Sequence, residues 1–401
     1  MKIAFFSDQF YPELSGVADS VLELGRELAQ RGHELRYVVP RYPRKDYLRY
    51  GAASPEPEFP SRVEVIRLPS LPHRPQGRTV LPLPILFPAA RKILAFRPDI
   101  IHAQLPYGTG IQALLAARKL KIPLVGTDHT LIRAFVAANG IFRAKWSEDL
   151  ASAYDAWFYG RCSFVSAPSR AVFEGMNRFD LSVPHRVISN PVRPGDFSPP
   201  TADERDSARK KFGAAGFVLL YAGRLAPEKD LDVVLNAVAS AKTEMPELEL
   251  LIAGRGPSET SLRKIAERTG ISNSVRFLGL LRGRELVSAY HAADAFVIMS
   301  TSETQSLTTM QAMLSGLPVI AARAAGLAEY VRPEIGLPVE PGDVSSLVQR
   351  ISELRRDPAL RSRLGTSARR AVKEFSADRI AAIWEGVYRN LLAGRTGSGG
   401  L

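Results

Sequence analysis

The sequence predicts an α/β protein built from two doubly wound parallel sheets. Three observations carry that prediction. Short apolar runs alternate with longer amphipathic stretches from end to end, the pattern of a parallel sheet covered on both faces. The 401 residues exceed one comfortable core and suit two domains of ordinary size. Residues 191–204, "PVRPGDFSPPTADE", are rich in Pro, Gly and Asp, carry no periodicity, and divide the alternation into two series.

The first series opens with "KIAFFSD", an apolar run expected to be a buried strand; a signal peptide would need a longer apolar region and a small-residue cleavage site. In the stretch that follows, Val17, Val21, Leu24 and Leu28 recur at helical spacing, and Gly32 stands where a helix stops. "ELRYVVP" is the next strand. "DIIHAQ", a helix over about 110–119, "PLVGTDH" and "SFVSAPS" continue the alternation. The second series runs "FVLLYAG", a helix over about 229–242, "LELLIAG", a helix over about 258–269, "VRFLG", a helix over about 283–292, "AFVIMS", a helix over about 306–315, and "LPVIAA". The expected organisation is a first domain over 1–190, a linker over 191–204, a second domain over 205–375, a C-terminal helix over 376–394 packing back on the first domain, and a disordered tail over 395–401. No internal repeat of 20 to 50 residues is evident.

Composition narrows the class. Hydrophobic residues at 45% and charged residues at 23% are globular values, and no apolar run reaches the length of a membrane span. The single cysteine, Cys162, excludes an intramolecular disulfide and a cysteine-cluster metal site, which points to a reducing cytosol. The net charge of +12 calls for an anionic partner, and +8 of it lies in residues 1–190. A generally Arg-rich proteome is the plain alternative.

Ligands of open α/β sheets bind beyond the carboxyl ends of the strands, so two such domains facing one another make a cleft lined by strand-to-helix loops. After "FVLLYAG" comes "RLAPEKD", which sets Arg224 and Lys229 beside a helix N-terminus, a combination that suits a diphosphate. Gly254 and Gly256, in "AGRGPSE", let backbone approach a ligand, although tight turns use the same residues. Gly16, in "YPELSGVAD", offers an amide from the first domain.

In this order and spacing, "AGRLAPEKD", "AGRGPSETSL", "VRFLG", "AADAFVIMSTSET" and "MQAMLSGLPVIA" resemble the donor-binding half of the retaining glycosyltransferases of family GT4, which have the GT-B fold. "SGVADSVLELGRELAQRGHEL", "RPDIIHAQLPYG" and "GTDHT" resemble the family's acceptor-side loops, so the likeness spans nearly the whole chain. It implies that Glu303 and Gln311 stand where the family has two glutamates separated by seven residues, the first on donor-sugar hydroxyls and the second on the nucleotide ribose. Gln311 departs from that pattern; its amide oxygen accepts from hydroxyls without charge, and weaker nucleotide binding is expected. Thr304, Gln305, Ser306 and Leu307 complete the implied donor loop, with Ser306 where the family often has Gly. "SETQSL" resembles the bacterial and plant enzymes that glycosylate diacylglycerol, although small polar residues also cap helices. The resemblance sets His129 near the donor sugar's 6-hydroxyl and puts His102, Gln104 and Asp128 on the acceptor side, Asp128 either orienting His129 or simply capping the following helix.

The implied reaction moves a hexose from a nucleoside diphosphate to a hydroxyl with retained configuration, by a front-face displacement in which a leaving phosphate oxygen takes the acceptor's proton. Arg224 and Lys229 stabilise the departing diphosphate while Glu303 and His129 align the sugar. No Asp-x-Asp sits at a strand end and no His/Asp cluster has ligand spacing, so no metal and no cofactor are expected. The expected donor is a UDP-hexose rather than GDP-mannose. Residues 71–98 and 129–146 interleave Lys/Arg with Leu, Ile and Phe, which suits an anionic membrane surface. Ile93, Leu94 and Phe96 as core residues of a helix are the alternative. The expected acceptor is therefore a lipid such as diacylglycerol, and the location is cytoplasmic, at the inner face of the membrane. A soluble sugar or polysaccharide is the alternative acceptor. A non-catalytic anion or nucleic-acid binder would explain the charge but not the ordered loops, and the basic residues lack an aromatic stacking platform. A dinucleotide oxidoreductase is disfavoured because "SDQFYPELSG" stands where Gly-x-Gly-x-x-Gly belongs.

Overall fold

The computed structural model describes residues 1–13, 15–52, 59–72, 77–80, 87–130, 145–176, 182–193, 195 and 197–394, apart from the side chains of 87–90 and 145–148. Two units result: Met1–Pro191 with the chain from Ala377 onward, and Val192–Ser376.

The first unit holds strands β1 (Lys2–Phe6), β2 (Glu34–Pro40), β3 (Val63–Leu68), β4 (Ser70–Pro72), β5 (Arg78–Val80), β6 (Ile100–Ala103), β7 (Leu124–Thr127), β8 (Phe164–Ala167) and β9 (His185–Val187). Seven of these form a sheet in the order β3-β2-β1-β6-β7-β8-β9, while β4 and β5 pair antiparallel. Every pairing of the large sheet is parallel. The interior strand β1 shows why the runs are apolar throughout: Ile3 and Phe5 enter one core cluster, Ala4 and Phe6 the other, and all four are fully buried. The helix Gly16–Gln30 begins where Ser15 accepts from the Ala18 amide, and it buries Val21, Leu24 and Leu28 at the expected spacing.

The helix Ala377–Leu392 belongs to this unit. Ile380, Trp384 and Tyr388 join the cluster of Ile3 and Phe5, and Glu385 takes His33 Nε2 at 2.6 Å and Arg31 at 3.2 Å.

The second unit holds β10 (Phe217–Ala222), β11 (Leu248–Ala253), β12 (Val275–Gly279), β13 (Ala295–Ile298), β14 (Val319–Ala322) and β15 (Leu337–Val339), all parallel in the order β12-β11-β10-β13-β14-β15. One difference from the sequence reading lies at its start. Residues 192–204 group with the second unit: Val192 bridges Ser376, and "ADERD" begins the helix Ala202–Phe212, capped by a reciprocal Thr201–Glu204 pair. Arg205 and Arg209 of that helix hold Asp294 at 2.5 and 2.6 Å. The helix hides from a periodicity reading because Ala208 is its one buried residue.

In each sheet the strand order reverses direction once, between β1 and β6 and between β10 and β13. Such a reversal leaves a crevice outside the carboxyl ends of the two strands, where doubly wound sheets hold ligands.

Candidate active site

In the second unit the loops after β10 and β13 meet at that reversal. Lys229 closes a short 3-10 turn, Pro227–Lys229, after β10, and its Nζ donates to Glu303 Oε1 at 2.6 Å. The pair joins residues 74 positions apart, and both side chains are mostly covered, at 16% and 15% exposure. Arg224 is more open and pairs with Glu228 one turn on. The Tyr221 hydroxyl donates to the Arg224 carbonyl at 2.9 Å, and the Ser300 hydroxyl donates to the Glu228 carbonyl at 3.2 Å. Two cations and two carboxylates thus share one loop cluster, beside the N-terminal end of the helix Leu231–Ala241.

Gly254 and Gly256 stand where the loops after β10 and β11 pass close to one another. Gly254 has φ +153°, and a Cβ there would lie 1.8 Å from the Gly223 carbonyl oxygen; one at Gly256 would lie 2.1 Å from that of Leu225. What these glycines bring close is the neighbouring loop, and hydrogen bonds seal it: the Leu225 amide donates to the Arg255 carbonyl and the Ser258 amide to the Leu225 carbonyl, at 3.0 Å each.

Behind Glu303 the loop after β13 is held from outside. The Gly326 amide donates to the Glu303 carbonyl at 2.8 Å, and the Tyr330 hydroxyl accepts from the Ser306 amide at 2.7 Å. Ser306 sits at φ −81°, where no glycine is required, and its hydroxyl accepts from the Thr309 amide to cap the helix Leu307–Leu314. Gln305 is buried, Thr304 and Leu307 are half-buried, and Gln311, half-buried on the helix, meets the Tyr290 hydroxyl at 3.1 Å. Tyr290, Tyr330, Glu228 and Gly326 were absent from the sequence reading. Only Glu228 left a local signal, an acid four residues after Arg224.

In the first unit, Gly16 is the exposed first residue of its helix. His129 and Gln104 come together after β7 and β6: Nε2 of His129 lies 2.9 Å from Gln104 Oε1. Burial drives the His129 pKa down to about 3, so the imidazole is neutral. Asp128 is fully buried and accepts from the Thr130 amide at 2.9 Å, which makes it a turn-former as well as a neighbour of the histidine. Burial pushes its pKa up to about 7, and burial and then the charge of Asp128 push Asp155 up as well. His102 is elsewhere. It has no exposed surface, one ring nitrogen lies 2.8 Å from the Tyr388 hydroxyl and the other 2.7 Å from Thr127 Oγ1, and Trp384 covers its face. The first contact fastens the helix Ala377–Leu392 to the sheet and the second ties β6 to β7, so neither polar atom is left to line an acceptor surface.

Of the basic, apolar segments, most of 129–146 and residues 73–76 and 81–86 lie outside the described residues, Arg74, Arg133 and Arg143 among them. Within the helix Phe87–Phe96, Ile93 and Phe96 are buried core residues, while Arg91 and Lys92 stay exposed. Arg78 is tied to Asp46 at 3.2 Å and to Ser70, and is not a free surface charge. Among the described residues no three His, Cys, Asp or Glu side chains are grouped to hold a metal ion.

Residues 203–371 match the family described as Glycosyl transferases group 1, and residues 14–195 match Glycosyltransferase Family 4. An alpha-monoglucosyldiacylglycerol synthase of Streptococcus pneumoniae is 30% identical over 80% of this chain and 71% of its own length. This chain is a family 4 glycosyltransferase. A GDP-mannose-dependent alpha-mannosyltransferase of Mycolicibacterium smegmatis is 31% identical over 93% of the glycosyltransferase and 92% of its own length. The fold is GT-B: Anabaena HepE, solved in complex with UDP, superposes with a TM-score of 0.75 at 19% identity, over 97% of the glycosyltransferase and 100% of that chain. Sucrose-phosphate synthase from Thermosynechococcus elongatus does so with a TM-score of 0.77 at 22% identity, over 98% of the glycosyltransferase and 99% of that chain.

Proposed function

We propose that this glycosyltransferase moves a hexose from a nucleoside diphosphate, UDP rather than GDP, to a hydroxyl of a membrane lipid such as diacylglycerol, with the anomeric configuration retained. The observation that carries the reading is the Lys229–Glu303 pair at the strand-order reversal. It sets a cation for the diphosphate beside a carboxylate for sugar hydroxyls. Arg224 adds a second, more open cation. These charges are fixed before reaction, so they stabilise the leaving diphosphate at little reorganisation cost, and no metal ion is needed for that task. Glu303 and the neutral His129 orient by hydrogen bonding, and a phosphate oxygen of the leaving group takes the acceptor's proton, so no protein nucleophile is called for. The lipid acceptor is favoured by "SETQSL" and by the diacylglycerol-glycosylating relative.

A screen of UDP-glucose, UDP-galactose and GDP-mannose against diacylglycerol vesicles and soluble sugars, with product identification, tests donor and acceptor together. Nucleoside diphosphate release is expected with a UDP-sugar and lipid, and it persists in EDTA. Turnover with GDP-mannose alone, product on the soluble sugars alone, or complete loss in EDTA restored by Mg²⁺ would each overturn its part of the reading.

A lipid acceptor requires the protein to meet a membrane, and no described helix is long and apolar enough to cross one. Attachment is therefore proposed to be peripheral, at the inner face. Exposed Arg91 supplies charge, joined by Lys92, which stays exposed although it pairs with Glu64 at 2.9 Å, and the first unit also exposes Leu150 and Trp157, seven residues apart on the helix Lys145–Tyr159, at 64% and 42%. Reversing Arg91 and Lys92 is expected to lower cosedimentation with anionic vesicles and lipid glycosylation together, because each surface cation contributes about 1 kcal/mol to such attraction. Equal binding to neutral and anionic vesicles, or none at low salt, would support a soluble acceptor instead.

A further inference from the structure

Tyr290 is fully buried at the end of the helix Gly283–Ala292, its ring stacked on Phe296 at 5.9 Å between centroids and edge-on to Phe197 at 5.4 Å. Its hydroxyl lies 3.0 Å from the Thr308 carbonyl oxygen and 3.1 Å from Gln311 Oε1. A tyrosine hydroxyl has one proton, and it cannot satisfy two acceptors at once. If the proton goes to Gln311, the hydroxyl oxygen is left facing the Thr308 carbonyl at 3.0 Å with no hydrogen between them. If the proton goes to Thr308, a half-turn of the amide lets its NH₂ donate to the hydroxyl oxygen. Every close polar contact then holds a hydrogen.

We infer that Tyr290 is a positioning residue for Gln311: it takes the amide NH₂ and leaves the amide oxygen facing outward as an acceptor. The inference rests on the reading that Gln311 faces the nucleotide ribose, and it explains why an amide suits this chain. A carboxylate at this position has no hydrogen to give Tyr290, so the hydroxyl would have to abandon Thr308 to serve it. Gln and Tyr form a matched pair. This reverses the expectation from the sequence that the amide binds the nucleotide more weakly than a glutamate: simple replacement of Gln311 by Glu is then expected to weaken nucleotide binding, and to be better tolerated once Tyr290 is Phe.

Calorimetric titration of UDP and GDP and their 2′-deoxy and 3′-deoxy forms tests this with the full chain. Tyr290→Phe keeps the ring packing and is expected to lower affinity for the ribonucleotide about 3- to 10-fold, one hydrogen bond's worth, while leaving the deoxy form that lacks the contacted hydroxyl unchanged. With donor in turnover assays, KM rises by the same factor and kcat stays near that of the parent. Equal weakening of ribo and deoxy forms, or no change in either, overturns the positioning role. Gln311→Ala separates the two levels: if it leaves the ribo preference intact, the ribose reading itself fails and this inference with it; if it removes the preference while Tyr290→Phe changes nothing, only the inference fails.

Discussion

Lys229→Ala and Arg224→Ala are each expected to lower turnover by roughly 10²–10³, the usual cost of removing one preorganised donor from a site where charge develops. Their stability effects should differ from one another. Arg224 is 39% exposed and its pair with Glu228 contributes at most about 1 kcal/mol. Lys229 and Glu303 are mostly covered, so deleting the cation strands a carboxylate and costs more, about 1–3 kcal/mol. Measuring kcat and the thermal midpoint on the same samples separates the two contributions. Activity within a few-fold of the parent in both variants would remove these residues from the mechanism.

Gly254→Ala is expected to be the most damaging single methyl in the second unit. The residue's φ of +153° disfavours any side chain, and the added carbon would lie 1.8 Å from backbone that is itself hydrogen-bonded across the loops. A loss of about 3–4 kcal/mol, and with it a fall of roughly 10 °C in thermal midpoint for a unit of this size, is expected. Gly342→Ala is the control: it also has positive φ, +77°, but nothing lies within 4 Å of the added carbon, so only backbone strain of about 1 kcal/mol remains. Equal falls in the two variants would show that the loop-to-loop contact is not what Gly254 is there for.

The contrast between these two glycines also shows what a sequence discloses. Both read as turn residues; only the neighbouring loop tells them apart. Strands such as "FVLLYA" and "LELLIA" were legible because a strand buried on both faces has little choice but apolar residues. The helix Ala202–Phe212 was not, since a helix held by Arg205 and Arg209 on Asp294 buries a single alanine and shows no stripe. At the site, Arg224, Lys229 and Glu303 were legible from their loops and their likeness to a family. Their supports were not: Tyr330 reaches Ser306 from 24 residues away and Tyr290 reaches Gln311 from 21, and no local pattern encodes such a meeting. His102 misled for the opposite reason, because a strand-end histidine looks the same in sequence whether it faces a ligand or a tryptophan.

The chain leaves its first unit at Pro191 and re-enters it at Ala377. During synthesis the face of the first sheet that carries Ile3, Phe5 and Val39 is translated early, but Ile380, Trp384 and Tyr388, which pack with it, emerge only after residues 192–376. At ribosomal rates of about 5–20 residues per second that interval lasts roughly 10–40 s. The second unit, contiguous in sequence, has every one of its strands in hand before the first can be completed. The nascent protein therefore matures from the middle outward, with an unfinished apolar face that needs shielding until the returning helix arrives.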